Sequence, residues 1–175
     1  MGGIIIRKAV QADAATIQAI YAPYVEETAI SFEYEAPTVE EMARRMKEVQ
    51  KEYPWLVAEE DGRIVGYAYA HAFHERAAFQ WAVETSIYVK RDEKRKGIGR
   101  KLHDALETTL KQQGILNLNA SIAYIDPEDK YLTQDSMRFH QQMGYKEVAH
   151  FHQCGKKFGH WYDLIWMEKI IGGHL

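Results

Sequence analysis

The sequence holds one cysteine, Cys154, among 175 residues. No intramolecular disulfide can form, and a lone thiol suits a reducing compartment, so the expected location is cytoplasmic. Proline is scarce, and no stretch approaches the roughly 20 consecutive apolar residues of a membrane span, so no membrane partner is expected. The opening Met1-Gly2-Gly3-Ile4-Ile5-Ile6-Arg7 offers too short an apolar run for a signal peptide. Ile6 also stands where a myristoylation pattern needs Ser or Thr. Positive charge is not in excess: the net charge is −3 and the pI about 6.2. A protein living on phosphate-backbone attraction is usually strongly basic, so no nucleic-acid partner is expected. Repeats, low-complexity segments and linker-like compositions are absent.

What is present suits a globular chain. Hydrophobic residues make up 46% and charged residues 27%, enough to bury a core without metals or disulfides, and the length suits a single domain over residues 1–175. Ile4–Arg7 is a short β-branched run. Asp13 is placed to cap a helix whose apolar stripe is Ile17, Ile20, Tyr21 and Tyr24, with Pro23 expected to kink or end it. Thr38 and Glu41 form a capping-box pattern before a helix with stripe Met42, Met46 and Val49. Trp55–Glu60 and Arg63–Ala70 read as strands joined by Asp61-Gly62, a two-residue hairpin signal. Thr85–Val89 is a further strand. Gly97–Gln113 is a helix with Ile98, Leu102, Leu106 and Leu110 on one stripe and Gly114 as terminator. Leu118–Ala123 is a strand, Ser136–Met143 a short helix, and Val148–His152 with Tyr162–Met167 a last antiparallel pair. The order β α α β β β α β α β β implies an α/β domain with a mixed sheet. The early hairpin should be antiparallel, and the strands flanking the Gly97 helix should be parallel.

One segment carries chemistry. Residues 90–101 hold seven cationic and two acidic side chains, and the cluster lies between a strand and a helix N-terminus. First-turn N–H groups there lack helical partners and the helix dipole favours an anion. Gly97 and Gly99 remove side chains, so a phosphate can approach the backbone. A solvated charge run on an ordinary turn is the plainer alternative. A dinucleotide fingerprint is excluded because Leu102 replaces its third glycine, and the Gly-Lys-Ser/Thr of a P-loop is absent.

The segment Glu84-Thr85-Ser86-Ile87-Tyr88-Val89-Lys90, followed by Lys94-Arg95-Lys96-Gly97-Ile98-Gly99-Arg100, resembles the central motif of the GNAT family of N-acetyltransferases. Lys94 occupies the slot where the family usually has Gln or Arg. The segments at residues 27–42, 73–84, 138–145 and 155–163 resemble the phosphinothricin and methionine sulfoximine acetyltransferase branch of that family. Residues 126–135 form a longer loop than the branch usually has, and Thr133 stands where it often has Asn.

The resemblance implies a GNAT-type mixed sheet flanked by helices, with a central parallel pair splayed around the acetyl-CoA site. It implies an acetyl-CoA-dependent N-acetyltransferase acting on the α-amine of a small amino-acid-like molecule, by direct attack in a ternary complex. The implied coenzyme contacts are Ile87, Tyr88, Val89, Arg95, Lys96, Gly97, Ile98, Gly99, Arg100, Thr133 and Ser136. Glu84 is the expected general base: it opens an otherwise apolar strand, where partial burial suits that role. His140 stands in the slot where relatives carry a Tyr near the coenzyme sulfur, and is the expected proton donor to the thiolate. Phe32, Phe73, Arg76, Trp81 and Lys157 are the expected substrate-side residues, the two cations matching a second anionic group. A homodimer is also expected. No metal is expected: His150 and His152 share a strand face, yet no Cys or carboxylate is suitably spaced beside them. Other readings are an acetyltransferase for a peptide N-terminus or polyamine, a CoA-binding sensor without turnover, and a binding protein for an unrelated phosphate ligand.

Overall fold

The computed structural model of the protein describes residues 2–94 and 96–175. Its elements are β1 (Ile5–Lys8), α1 (Ala14–Glu27), α2 (Val39–Gln50), β2 (Trp55–Glu60), β3 (Arg63–Ala72) and β4 (Ala82–Val89), followed by α3 (Ile98–Gln112), β5 (Asn117–Tyr124), α4 (Asp135–Gln142), β6 (Lys146–Lys157) and β7 (His160–Ile170). This is the order that the sequence pattern implies, with the last two strands longer than expected.

The strands make one mixed sheet in the order β1-β2-β3-β4-β5-β7-β6. The hairpin β2–β3 is antiparallel and turns on Asp61 (φ 52°) and Gly62 (φ 76°). β4 and β5 are the parallel pair, joined by the α3 crossover. Their ladder runs only from Ala82↔Asn117 to Glu84↔Asn119, although both strands continue. Beyond Glu84 the two strands form a fork.

Each face of the sheet buries a helical layer. On one, Ile98, Leu102, Leu106 and Leu110 of α3 are at most 1% exposed and pack on Val65, Ala68, Val83, Leu118 and Ile165. On the other, Ile17, Ile20, Val25, Met42 and Met46 of α1 and α2 cover Trp55, Val57 and Tyr67. Each fully buried aliphatic side chain contributes about 1.5–3 kcal/mol relative to leaving it in water.

Two local expectations are corrected. Pro23 lies inside α1, which runs on to Glu27. Proline removes one helical hydrogen bond, but the following turn is held by burial of Tyr24 and Val25. Lys157 Nζ also donates to Val25 O at 2.6 Å, satisfying a carbonyl of the last turn. Asp13 stands at the α1 N-cap but makes no cap bond there. Its carboxylate instead accepts from Val10 N at 2.8 Å and pairs with Arg7. Thr38 does cap α2, accepting from Glu41 N at 3.0 Å, while the Glu41 carboxylate turns to Arg44 and Arg45.

Candidate functional site

The fork between β4 and β5 holds a cavity of about 70 Å³. Thr85, Ser86, Ile87 and Tyr88 line one side, Ala120–Ala123 the other, and Ile30, Leu132, Ser136 and His140 close it. β4 stays paired to β3 as far as Gly66↔Val89. Its other edge loses β5 after Glu84, so alternate N–H and C=O groups there have no ladder partner in β5. An extended chain of amide groups could pair with such an edge.

One end of the fork leads to the N-terminus of α3. Gly97 is its N-cap, with φ 78° and ψ 10°, a left-handed conformation that suits glycine. Lys101 N donates to Gly97 O at 3.1 Å and closes the first helical turn, so the N–H groups of Ile98, Gly99 and Arg100 precede the first intrahelical bond and have no helical acceptor. Gly99 serves packing as well: a Cβ there would stand 3.2 Å from the Phe139 ring of α4. Lys96 is drawn to Glu93 in an ion pair, with Glu60 4.0 Å away, so its side chain is partly neutralised within the loop. Lys94 lies 5.3 Å from the centre of the Tyr24 ring, and Arg100 is exposed. Arg95, an expected coenzyme contact, lies outside the described residues. Val89 O accepts from the Tyr24 hydroxyl, fixing the end of β4.

Glu84 stands at the ladder's last rung. The antiparallel register sets His71 of β3 directly across from it, and His71 Nε2 is 2.9 Å from Glu84 Oε2. His71 Nδ1 donates to Ala72 O at 3.0 Å. The hydrogen bond and charge of Glu84 hold the His71 pKa above its ordinary value against the opposing effect of burial. From β5, Ser121 Oγ donates to Glu84 Oε1 at 3.3 Å. Trp166 of β7 pairs with Ser121, and Phe73 meets Trp166 edge-on at 5.6 Å.

Behind the fork runs a buried polar chain. Thr85 Oγ1 donates to Asn119 O at 3.3 Å, and Asn119 Nδ2 donates to Val83 O at 3.1 Å. These bonds bridge the strands where the ladder stops. With its proton given to Asn119, Thr85 Oγ1 accepts from the Tyr145 hydroxyl at 3.2 Å, and Tyr145 in turn accepts from His103 Nε2 at 2.8 Å. This direction leaves His103 Nδ1 as a bare lone pair, in keeping with its having no hydrogen-bond partner among the described residues. Burial, with a smaller push from Lys169, drives the His103 pKa down to about 3, so the ring is neutral.

His140 of α4 is 7% exposed and lines the cavity. Its Nδ1 donates to Ser136 O at 2.7 Å, leaving Nε2 as the other ring nitrogen. Burial lowers its pKa, which favours the neutral ring. Thr133 is exposed, and its hydroxyl accepts from Asp135 N at 3.3 Å.

The expected substrate-side residues do not all converge. Phe32 is half-buried against Ala29, Ala123 and Leu132, next to the cavity wall. Phe73, Arg76 and Trp81 lie on the β3–β4 connection, where Arg76 and Trp81 are exposed. Lys157 is buried and gives two of its N–H donors to Val25 O at 2.6 Å and Ser31 O at 2.8 Å, and it is not among the residues lining the cavity. It clasps the segment 28–37, which Arg45 also holds through a two-bond grip on Glu33. His71, Ser121, Tyr145 and Trp166 belong to the neighbourhood and were not singled out from sequence. For His71 a usable signal exists: Tyr67, Tyr69 and His71 alternate on the strand that the Asp61-Gly62 turn sets beside β2.

Comparison with known proteins places this geometry. A sequence model described as an acetyltransferase (GNAT) domain matches residues 6–166. The phosphinothricin N-acetyltransferase of Streptomyces viridochromogenes is 34% identical, over 94% of this chain and 86% of that protein. The L-methionine sulfoximine/L-methionine sulfone acetyltransferase of Salmonella typhimurium is 34% identical, over 70% of this chain and 67% of that protein. Among solved structures, a GNAT superfamily phosphinothricin acetyltransferase from Sinorhizobium meliloti in complex with AcCoA superposes with a TM-score of 0.88. It is 31% identical, and the match covers 97% of this chain and 89% of that one.

Proposed function

The chain belongs to the GNAT family and is an N-acetyltransferase, and we propose that it moves the acetyl group of acetyl-CoA to the α-amine of a small amino-acid-like substrate of the phosphinothricin, methionine sulfoximine or methionine sulfone type. The observation that carries this reading is the fork. It has an anion-binding helix start at one end and a carboxylate at the other, joined by an unpaired strand edge.

The residues fit the coenzyme. The N–H groups of Ile98, Gly99 and Arg100 would receive the pyrophosphate, with Arg95, Lys96 and Arg100 adding charge. The free edge of Ile87, Tyr88 and Val89 would pair with the amides of the pantetheine arm, and Thr133 and Ser136 border its path. Acetyl-CoA supplies an activated acyl group: the amine nitrogen bonds to the carbonyl carbon, the carbon–sulfur bond breaks, and the thiolate takes a proton.

Glu84 takes the proton that the amine must lose, directly or through one water. His71 and Ser121 occupy part of its lone-pair capacity and fix its orientation. A β4 N–H facing the fork stabilises the carbonyl oxygen as charge gathers on it. His140 can protonate sulfur only as the imidazolium. Burial disfavours that form in the free protein, and a developing thiolate beside it restores it. Arg76, with Phe32, Phe73 and Trp81, forms the proposed substrate side, where a guanidinium matches a carboxylate or phosphinate. The burial of Lys157 supports leaving it out. The reaction uses no metal. A cytoplasmic location and a homodimer complete the reading.

The test is direct. Incubation with acetyl-CoA and phosphinothricin should give the N-acetyl product by mass spectrometry, and calorimetry should give one CoA site that ATP fills far more weakly. Equal binding of CoA and ATP, with no acetylated amine, would contradict the proposal.

A further inference from the structure

The sheet's outer edge carries a cluster outside the acetyl-transfer site. His150 and His152 lie two residues apart on β6, and their rings stack at 4.3 Å with planes 9° apart. The strand register supplies what local spacing lacks. His150 pairs with Ile165 and Phe151 with Leu164, so Asp163 of β7 is the next position opposite His152 and shares the face of both histidines. His150 Nε2 is 2.7 Å from Asp163 Oδ2. One ligand atom from each of His150, His152 and Asp163 lies within 4.8 Å of the others.

The backbone orients the carboxylate. Between Phe151↔Leu164 and Gly155↔Tyr162 the β6 strand bulges, and Gln153 adopts φ 46°. The bulge brings Gln153 N to 2.7 Å from Asp163 Oδ1, so one oxygen is held and the other is left for His150. Tyr124 packs edge-on against the His150 ring at 5.3 Å, limiting its rotation. A hydrogen-bonded carboxylate oxygen and a braced imidazole are the outer-shell supports that metal ligands use. The histidine at position 152 is exposed, so solvent can complete the coordination.

We propose that His150, His152 and Asp163 bind one divalent first-row transition ion of the Zn2+ class, with water in the remaining position. Two imidazole nitrogens and a carboxylate oxygen are ligands for such borderline ions, and too few oxygens for Ca2+ or Mg2+. Ligand atoms about 2 Å from one ion lie about 3.3 Å apart. Turning the exposed His152 ring out of its stack on the half-buried His150 brings both imidazole lone pairs and Asp163 Oδ2 onto one ion at that separation, and the ion takes the place of the shared His150–Asp163 proton. Nothing in acetyl transfer calls for this ion, so the site stands or falls apart from the catalytic reading.

Titration of the metal-free full chain with Zn2+ by calorimetry, and the thermal midpoint with and without Zn2+, test this. One saturable site and a Zn2+-dependent rise in midpoint are expected. His152→Ala and Asp163→Asn should each weaken binding at least about tenfold; Asn keeps an oxygen for Gln153 N. Both variants should match the wild-type midpoint in EDTA, which excludes misfolding. Cys154→Ser should bind Zn2+ like wild type, and the Co2+-loaded protein should lack a thiolate charge-transfer band. Absence of saturable Zn2+ binding, or binding that survives both ligand substitutions, would overturn the proposal.

Discussion

Glu84 and His71 form a cross-strand pair in which a carboxylate oxygen sits 2.9 Å from an imidazole nitrogen. The pair stands at the rung where β4 and β5 part, with His71 on one carboxylate oxygen and Ser121 of β5 on the other. If Glu84 removes the amine proton, Glu84→Gln keeps the shape and loses the base. We expect kcat to fall about 10²- to 10⁴-fold, with CoA affinity by calorimetry close to wild type. An unchanged kcat removes Glu84 from the mechanism.

The same pair has a signature in stability. The folded pKa of His71 is raised above the ordinary 6.5. Its contribution is therefore full below about pH 6.5 and is lost as pH rises through the raised folded value. His71→Gln should lower the thermal midpoint at pH 5.5 more than at pH 8.5. A difference that grows with pH would contradict the ion pair.

His103 runs the other way. Its folded pKa is about 3, so from about pH 6.5 downward the unfolded chain binds a proton that the folded chain refuses. Stability falls with acid, by up to about 1.4 kcal/mol per pH unit from this group alone. Denaturant unfolding of His103→Gln between pH 6 and 4 should show a slope shallower by about that amount. An identical slope would mean that the ring is protonated in the fold.

How much of this was legible in sequence depends on the range of each signal. The α3 stripe, the Asp61-Gly62 turn and the strand–loop–Gly97 arrangement are local, and periodicity or φ preference reveals them. The His71–Glu84 and Tyr145–His103 contacts join residues far apart in the chain and depend on strand register and helix placement. Asp163 illustrates the point: it is remote from His150 in sequence and is delivered by the β6–β7 ladder. Lys157 shows the opposite hazard. A cation beside a substrate-branch motif reads as a substrate contact, and only the fold reveals its ammonium turned inward to two carbonyls.

Lys157→Met separates those two roles. Loss of the ammonium leaves Val25 O and Ser31 O without this donor, costing about 1–3 kcal/mol. That lowers the thermal midpoint by several degrees in a chain of this size. KM for the amine should change little. A large rise in KM with an unchanged midpoint would return Lys157 to the substrate pocket.

The most direct test of the central claim is thiol release from acetyl-CoA in the presence of phosphinothricin, methionine sulfoximine or a basic peptide, each alone. The account predicts turnover with one or both amino-acid analogues and little with the peptide. Turnover with the peptide alone, or with none of the amines while CoA binds, would contradict it.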